Sequence, residues 1–189
     1  RQKHLYDNLP PGNFEKLAGI DFGFSNPAAV LHIYFNGEKY YIDEEFYKTQ
    51  RTETQVAEYV AGCRFNAVYP DPENASGIEE LRNRNVNVRE VSKGKGSIEA
   101  GISKIHELLL QDKLFISRKC LNTLYEFESY SFADENFDQN NPEKPIPHNN
   151  HAIDALRYVV MMTWGIKTIQ PADLIRVQSI KHERKNTFV

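Results

Sequence analysis

The sequence predicts an α/β domain in which helices are layered on a mixed sheet. Hairpin-linked strands open the chain, and single short strands alternating with amphipathic helices follow. A length of 189 residues at 40% hydrophobic is enough to bury one good core.

Each element has a local cause. Residues 1–15 carry Pro10, Pro11 and Gly12 and read as a linker entering the domain, which is expected over 16–166, with a tail over 167–189. Residues 17–21 form a short apolar strand ending in a carboxylate, and residues 28–35 form a second strand. Asn36-Gly37 is a strong hairpin signal, because both residues tolerate positive φ, and the partner strand runs from Lys39 toward Tyr47. Residues 52–63 place Val56, Tyr59, Val60 and Cys63 at helical spacing, with Thr52 and Gln55 in capping-box relation. A buried strand at 66–69, a helix at 78–84 and an alternating strand at 86–91 come next. Ile98, Ile102, Ile105 and Leu109 stripe a helix over 97–111. A strand at 114–116 and a helix at 121–130 lead to a long polar stretch, 131–150, and the last clear element is a helix over 151–164.

Composition narrows the function classes. Charged residues at 26% and aromatics at 12% describe a globular chain. Cys63 and Cys120 match no metal or disulfide pattern and fit a reducing compartment. No apolar run is long enough to span a bilayer, so the chain reads as soluble and intracellular, with no membrane partner. It begins with Arg1 rather than Met, which hints at a piece of a longer polypeptide. A net charge of -3 argues weakly against a nucleic-acid binder, although a nuclease needs both a carboxylate cluster and basic patches, which cancel in the sum.

Three aspartates occupy positions that a core would not choose. Asp21 ends the first strand, Asp71 lies between Pro70 and Pro72 after a buried strand, and Asp154 sits one turn inside the last helix on the face of His151 and Tyr158. If the first and fourth strands are neighbours, Asp21 and Asp71 project from adjacent strand ends, and the last helix supplies Asp154 across from them. Hard divalent cations such as Mg²⁺ or Mn²⁺ prefer such oxygen ligands, and a pair of them about 3.5–4 Å apart hydrolyses phosphodiesters. His151 is placed to be an added ligand, an outer partner or a proton carrier. Each residue also has a plainer reading: Asp21 as a solvated strand end, Asp71 as a turn residue, Asp154 as a partner of the helix dipole.

Other motifs are weaker. Asp21-Phe22-Gly23 imitates a kinase triplet without the accompanying loops. Arg89 stands where a P-loop before Gly94-Lys95 needs glycine, which rules out a Walker A. Residues 92–97 remain a basic loop at a helix start, suited to phosphate through Lys93 and Lys95, or simply a solvated connection. His148 and His151 suggest zinc only without the supporting cysteines.

These segments together resemble a known family. Ala18-Gly19-Ile20-Asp21-Phe22-Gly23 with Pro27-Ala28-Ala29-Val30 looks like the opening strand of the nuclease domain in large terminase subunits of tailed double-stranded DNA phages. Tyr69-Pro70-Asp71-Pro72, with Ile78-Glu79-Glu80-Leu81 behind it, is similar to the family's second acidic motif. Lys93-Gly94-Lys95-Gly96-Ser97-Ile98 with Gly101-Ile102 resembles its basic segment. Residues 149–158, from Asn149 to Tyr158, closely match its terminal acidic helix.

The resemblance implies an RNase H-like mixed β-sheet, three antiparallel strands then parallel ones, flanked by helices on both faces. It implies two Mg²⁺ or Mn²⁺ ions on Asp21, Asp71 and Asp154 with His151 close by, and a loop over 131–150 shaping DNA access. The expected activity is endonucleolytic cutting of double-stranded concatemeric viral DNA in the cytoplasm of an infected bacterial host. Lys93 and Lys95 would hold phosphate, and Glu73, Asp43, Glu44 and Glu45 stand as reserve ligands. The expected partners are an ATPase domain of the same polypeptide, since no P-loop is present here, and the portal and small terminase subunit. The rival readings are another RNase H-like nuclease (junction resolvase or integrase), an actin- or sugar-kinase-like phosphotransferase, and a non-catalytic DNA-binding module.

Overall fold

A computed structural model describes residues 2–91, 96–135 and 150–163. Six strands form one sheet: β1 (Leu5–Tyr6), β2 (Glu15–Asp21), β3 (Ala28–Phe35), β4 (Tyr40–Lys48), β5 (Ala67–Pro70) and β6 (Leu114–Ser117), in the order β1-β6-β4-β3-β2-β5. β2, β3 and β4 are antiparallel, while β5 joins β2 and β6 joins β4 in parallel. Helices cover both faces, as expected. α1 (Glu53–Cys63) and α2 (Ala75–Asn83) pack on one; α3 (Ser97–Leu110), α4 (Leu121–Glu135) and α5 (His151–Thr163) pack on the other.

The pleat of β2 divides the core. Ala18 and Ile20 meet Val56, Ala57, Val60 and Leu81 on the α1–α2 side. Leu17 faces Ala152, Ala155, Leu156 and Val159 on the α5 side, where Gly19 and Asp21 also point. At Gly19 a β-carbon would overlap the carbonyl of Ala155, so α5 lies with its backbone directly on the strand. No helix among the described residues is long and apolar enough to cross a membrane.

Several local expectations hold in detail. Thr52 caps α1 through a full capping box with Gln55, and Cys63 and Cys120 are free thiols. Others are corrected. The Asn36-Gly37 hairpin is real, but only Gly37 takes positive φ (91°). Asn36 instead accepts from the amides of Glu38 and Lys39 through its side chain, closing a longer loop between Phe35 and Tyr40. Residues 86–91 form no strand. They touch the sheet at one bridge, Val68 with Val88, because β5 is short and already paired with β2 on its other side. Leu5 and Tyr6, inside the stretch read as a linker, pair with Ile116 and Ser117 and extend the sheet beyond β6.

The close approach at Gly19 gives a direct test. Gly19→Ala must push α5 off β2, and a loss of roughly 3 kcal/mol in unfolding free energy is expected from a urea titration. A loss below about 0.5 kcal/mol would show that the helix–strand contact is looser than described.

Candidate metal centre

The site is built where β2, β5 and α5 meet. β2 and β5 run parallel in the register Ile20 with Pro70, and the amide of Asp71 extends the ladder by one bond to the Ile20 carbonyl at 2.9 Å. Asp21 and Asp71 therefore leave neighbouring strand ends together. Pro70 is tolerated because β5 is an edge strand, whose outer side needs no donor. Asp71 Oδ1 accepts from the amide of Glu73 at 3.0 Å, which steadies the carboxylate within its turn.

α5 brings the other two groups. His151 Nδ1 lies 2.7 Å from Asp21 Oδ2, an ion pair when the imidazole is protonated. The Asp21 hydrogen bond raises the proton affinity of His151 against the opposing effect of burial. Asp21 is itself buried at 9% exposure. Burial pushes its pKa up, His151 pulls it back down, and the charges of Asp154 and Asp71 push it up again. The Tyr158 phenol is buried and feels Asp71, Asp21 and Asp154 together, so it remains protonated. Three carboxylates thus act on one small volume.

Asp154 has its own scaffold. Arg157 is buried at 3% exposure and places both Nε and Nη2 2.9 Å from Asp154 Oδ1, while Asn150 Nδ2 donates to Oδ2 at 3.0 Å. The guanidinium also lies over the Tyr158 ring at 4.7 Å. Its stem passes through the space a side chain at Gly101 of α3 would fill. Gly101 is what lets a buried arginine reach the acidic centre from behind.

Carboxylates from three elements are the oxygen donors that a hard divalent cation would need, and an imidazole stands against one of them. Among the described residues, no three His, Cys, Asp or Glu side chains are drawn into a closed ligand cage. Asp21 turns toward His151, and Asp154 toward Arg157 and Asn150.

The reserve ligands go elsewhere. Glu45 caps the first turn of α4, accepting from the amides of Asn122 (2.8 Å) and Thr123 (2.9 Å) and from both side chains. Asp43 accepts from the Tyr6 hydroxyl, Glu44 lies 3.4 Å from His32, and Glu73 is solvent-exposed. Lys93 and Lys95 lie outside the described residues, as do His148 and residues 136–149 of the polar stretch. Arg157 was not singled out from sequence, nor was Glu126 of α4, which accepts from the Tyr47 hydroxyl and the Ile153 amide of α5. Glu126 sits within a helix of weak amphipathicity, and only its burial at 1% exposure sets it apart.

Comparison with known proteins identifies the family of this domain. The family described as "Terminase RNAseH like domain" matches residues 21–161, from Asp21 to within the last helix. The chain belongs to this family. The large terminase subunit of Escherichia phage T5 is 28% identical over 155 residues, covering 77% of this chain and 34% of that protein. The structure of the large terminase from a thermophilic bacteriophage superposes with a TM-score of 0.71 at 24% identity, covering 85% of this chain and 42% of that one. The large terminase nuclease domain of bacteriophage SPP1 with bound Mn gives a TM-score of 0.61 at 21% identity, covering 82% and 93%. This terminase domain thus has an RNase H-like fold and spans about a third of its T5 relative.

The Arg157 support carries a test. Gly101→Ala forces the Arg157 stem aside, and a destabilisation of roughly 1–3 kcal/mol is expected, with a shift of the Asp154 carboxyl carbon in NMR spectra. An unmoved Asp154 resonance would show that Gly101 does not control this contact.

Proposed function

We propose that this chain is the metal-dependent endonuclease domain of a phage DNA-packaging terminase, cutting double-stranded concatemeric DNA in the cytoplasm of the infected host. The observation that carries the reading is the meeting of Asp21 and Asp71, from adjacent parallel strand ends, with Asp154 and His151 from α5. Membership of the terminase family and the Mn bound to the SPP1 domain support it.

A pair of divalent ions, Mg²⁺ or Mn²⁺, supplies an activated water and stabilises the leaving oxygen of the phosphodiester. Asp21, Asp71 and Asp154 would hold such ions, with Asp21, flanked by the other two, nearest to both. Arg157 and Asn150 hold Asp154 in one orientation, which limits the rearrangement needed on loading. His151, held through Nδ1 by Asp21, has Nε2 available to carry a proton. Lys93 and Lys95 hold DNA phosphates, making binding fall with salt. Terminase membership extends the proposal to an ATPase domain in the same polypeptide and to the portal and small subunit as partners.

The test is cleavage of supercoiled plasmid with Mg²⁺, Mn²⁺ or EDTA. Metal-dependent nicking and linearisation are expected, reduced by about 100-fold or more in Asp154→Ala. Cleavage that survives EDTA, or equal cleavage by the variant, would overturn the assignment. Preference for branched over linear DNA would move it to the resolvases.

A further inference from the structure

Helix α5 carries two of the four proposed functional groups, so whatever fixes its first turn fixes the site. Asn150 stands at the N-cap position, since its carbonyl accepts the Asp154 amide at 2.8 Å. An asparagine there ordinarily turns its side chain back to the amides of the second and third helical residues. Here it donates to Asp154 instead, which leaves the Ala152 and Ile153 amides to another acceptor.

That acceptor is Glu126, which reaches across from α4. Its Oε2 accepts from the Ile153 amide at 3.0 Å, and the neighbouring Ala152 amide also favours the charged carboxylate. Its Oε1 accepts from the Tyr47 hydroxyl at 2.7 Å. A buried carboxylate is costly unless donors surround it. Two hydrogen bonds do so here, and the Ala152 amide and the positive end of the α5 dipole add to them. Tyr47, from β4, also presents its ring edge to His151 at 6.4 Å between centroids.

We infer that Glu126 is a positioning residue for the metal centre: it takes over the capping of α5 so that Asn150 can hold Asp154, and it seats His151 against Asp21. This rests on the metal-centre reading proposed above. Asn150 is free to orient Asp154 only because another carboxylate satisfies the helix amides. Glu126 hydrogen-bonds the helix backbone and Tyr47, and its charge is also felt by His151.

The test compares two cap removals in the full chain. Glu126→Gln turns one acceptor oxygen into a donor at the start of α5, and Glu45→Gln does the same at the start of α4. Mn²⁺ affinity, read by water-proton relaxation with both variants folded, is expected to weaken about tenfold in Glu126→Gln and to stay within twofold of wild type in Glu45→Gln, although both lower the melting temperature. The Ala152 and Ile153 amide protons should move upfield in Glu126→Gln alone. If Glu126→Gln does not fold, Tyr47→Phe removes one donor and is expected to weaken Mn²⁺ about threefold. Unchanged Mn²⁺ affinity in the folded variant, or equal weakening in both Glu variants, would overturn the inference and leave the metal-centre reading standing. A wild-type chain that binds no Mn²⁺ would overturn that reading, and this role for Glu126 with it.

Discussion

Gly19 has no side chain, and the backbone of α5 occupies the space where one would stand. Everything at the acidic centre depends on that contact. Asp21 is two residues further along the same face of β2, so the seating of α5 on Gly19 sets how far His151 and Asp154 lie from it. The parallel pairing of β2 with β5 fixes the remaining carboxylate, because the register that matches Ile20 with Pro70 leaves Asp21 and Asp71 side by side. Backbone geometry, rather than attraction between the side chains, brings these groups together. Like charges in proximity oppose their own assembly.

The molecule offsets that repulsion locally. His151 hydrogen-bonds Asp21, and Arg157 takes one oxygen of Asp154. A cation entering between these carboxylates would therefore meet groups already held by positively polarised partners. Behind this site, Glu45 joins β4 to the first turn of α4, and Glu126 joins α4 to α5. Among neighbouring acidic residues, position in the fold separates anchors from candidate ligands.

Much of this was legible in the sequence, for identifiable reasons. The apolar run ending at Asp21, the proline-flanked Asp71 and the spacing of His151 and Asp154 follow from strand and helix periodicity. The Thr52–Gln55 box is a local pattern, formed as expected. What was not legible depends on long-range contact. The pairing of Leu5–Tyr6 with β6 joins residues more than a hundred positions apart, and no local pattern announces a two-residue strand. The alternation over 86–91 promised a strand, but the ladder gives it a single bridge. Glu45 looked like a spare ligand because the sequence shows a carboxylate and not the α4 amides it faces. Glu126 and Arg157 escaped for the same reason: a charged residue on a helix reads as solvated until burial shows otherwise.

The central claim is that Asp21, Asp71 and Asp154 form one metal centre. Anomalous diffraction from crystals of this chain grown with Mn²⁺ tests it most directly. Mn²⁺ peaks bounded by these three carboxylates, with Asp21 in contact with the metal, are expected. Mn²⁺ bound elsewhere, with Asp21 still turned to His151, would contradict it.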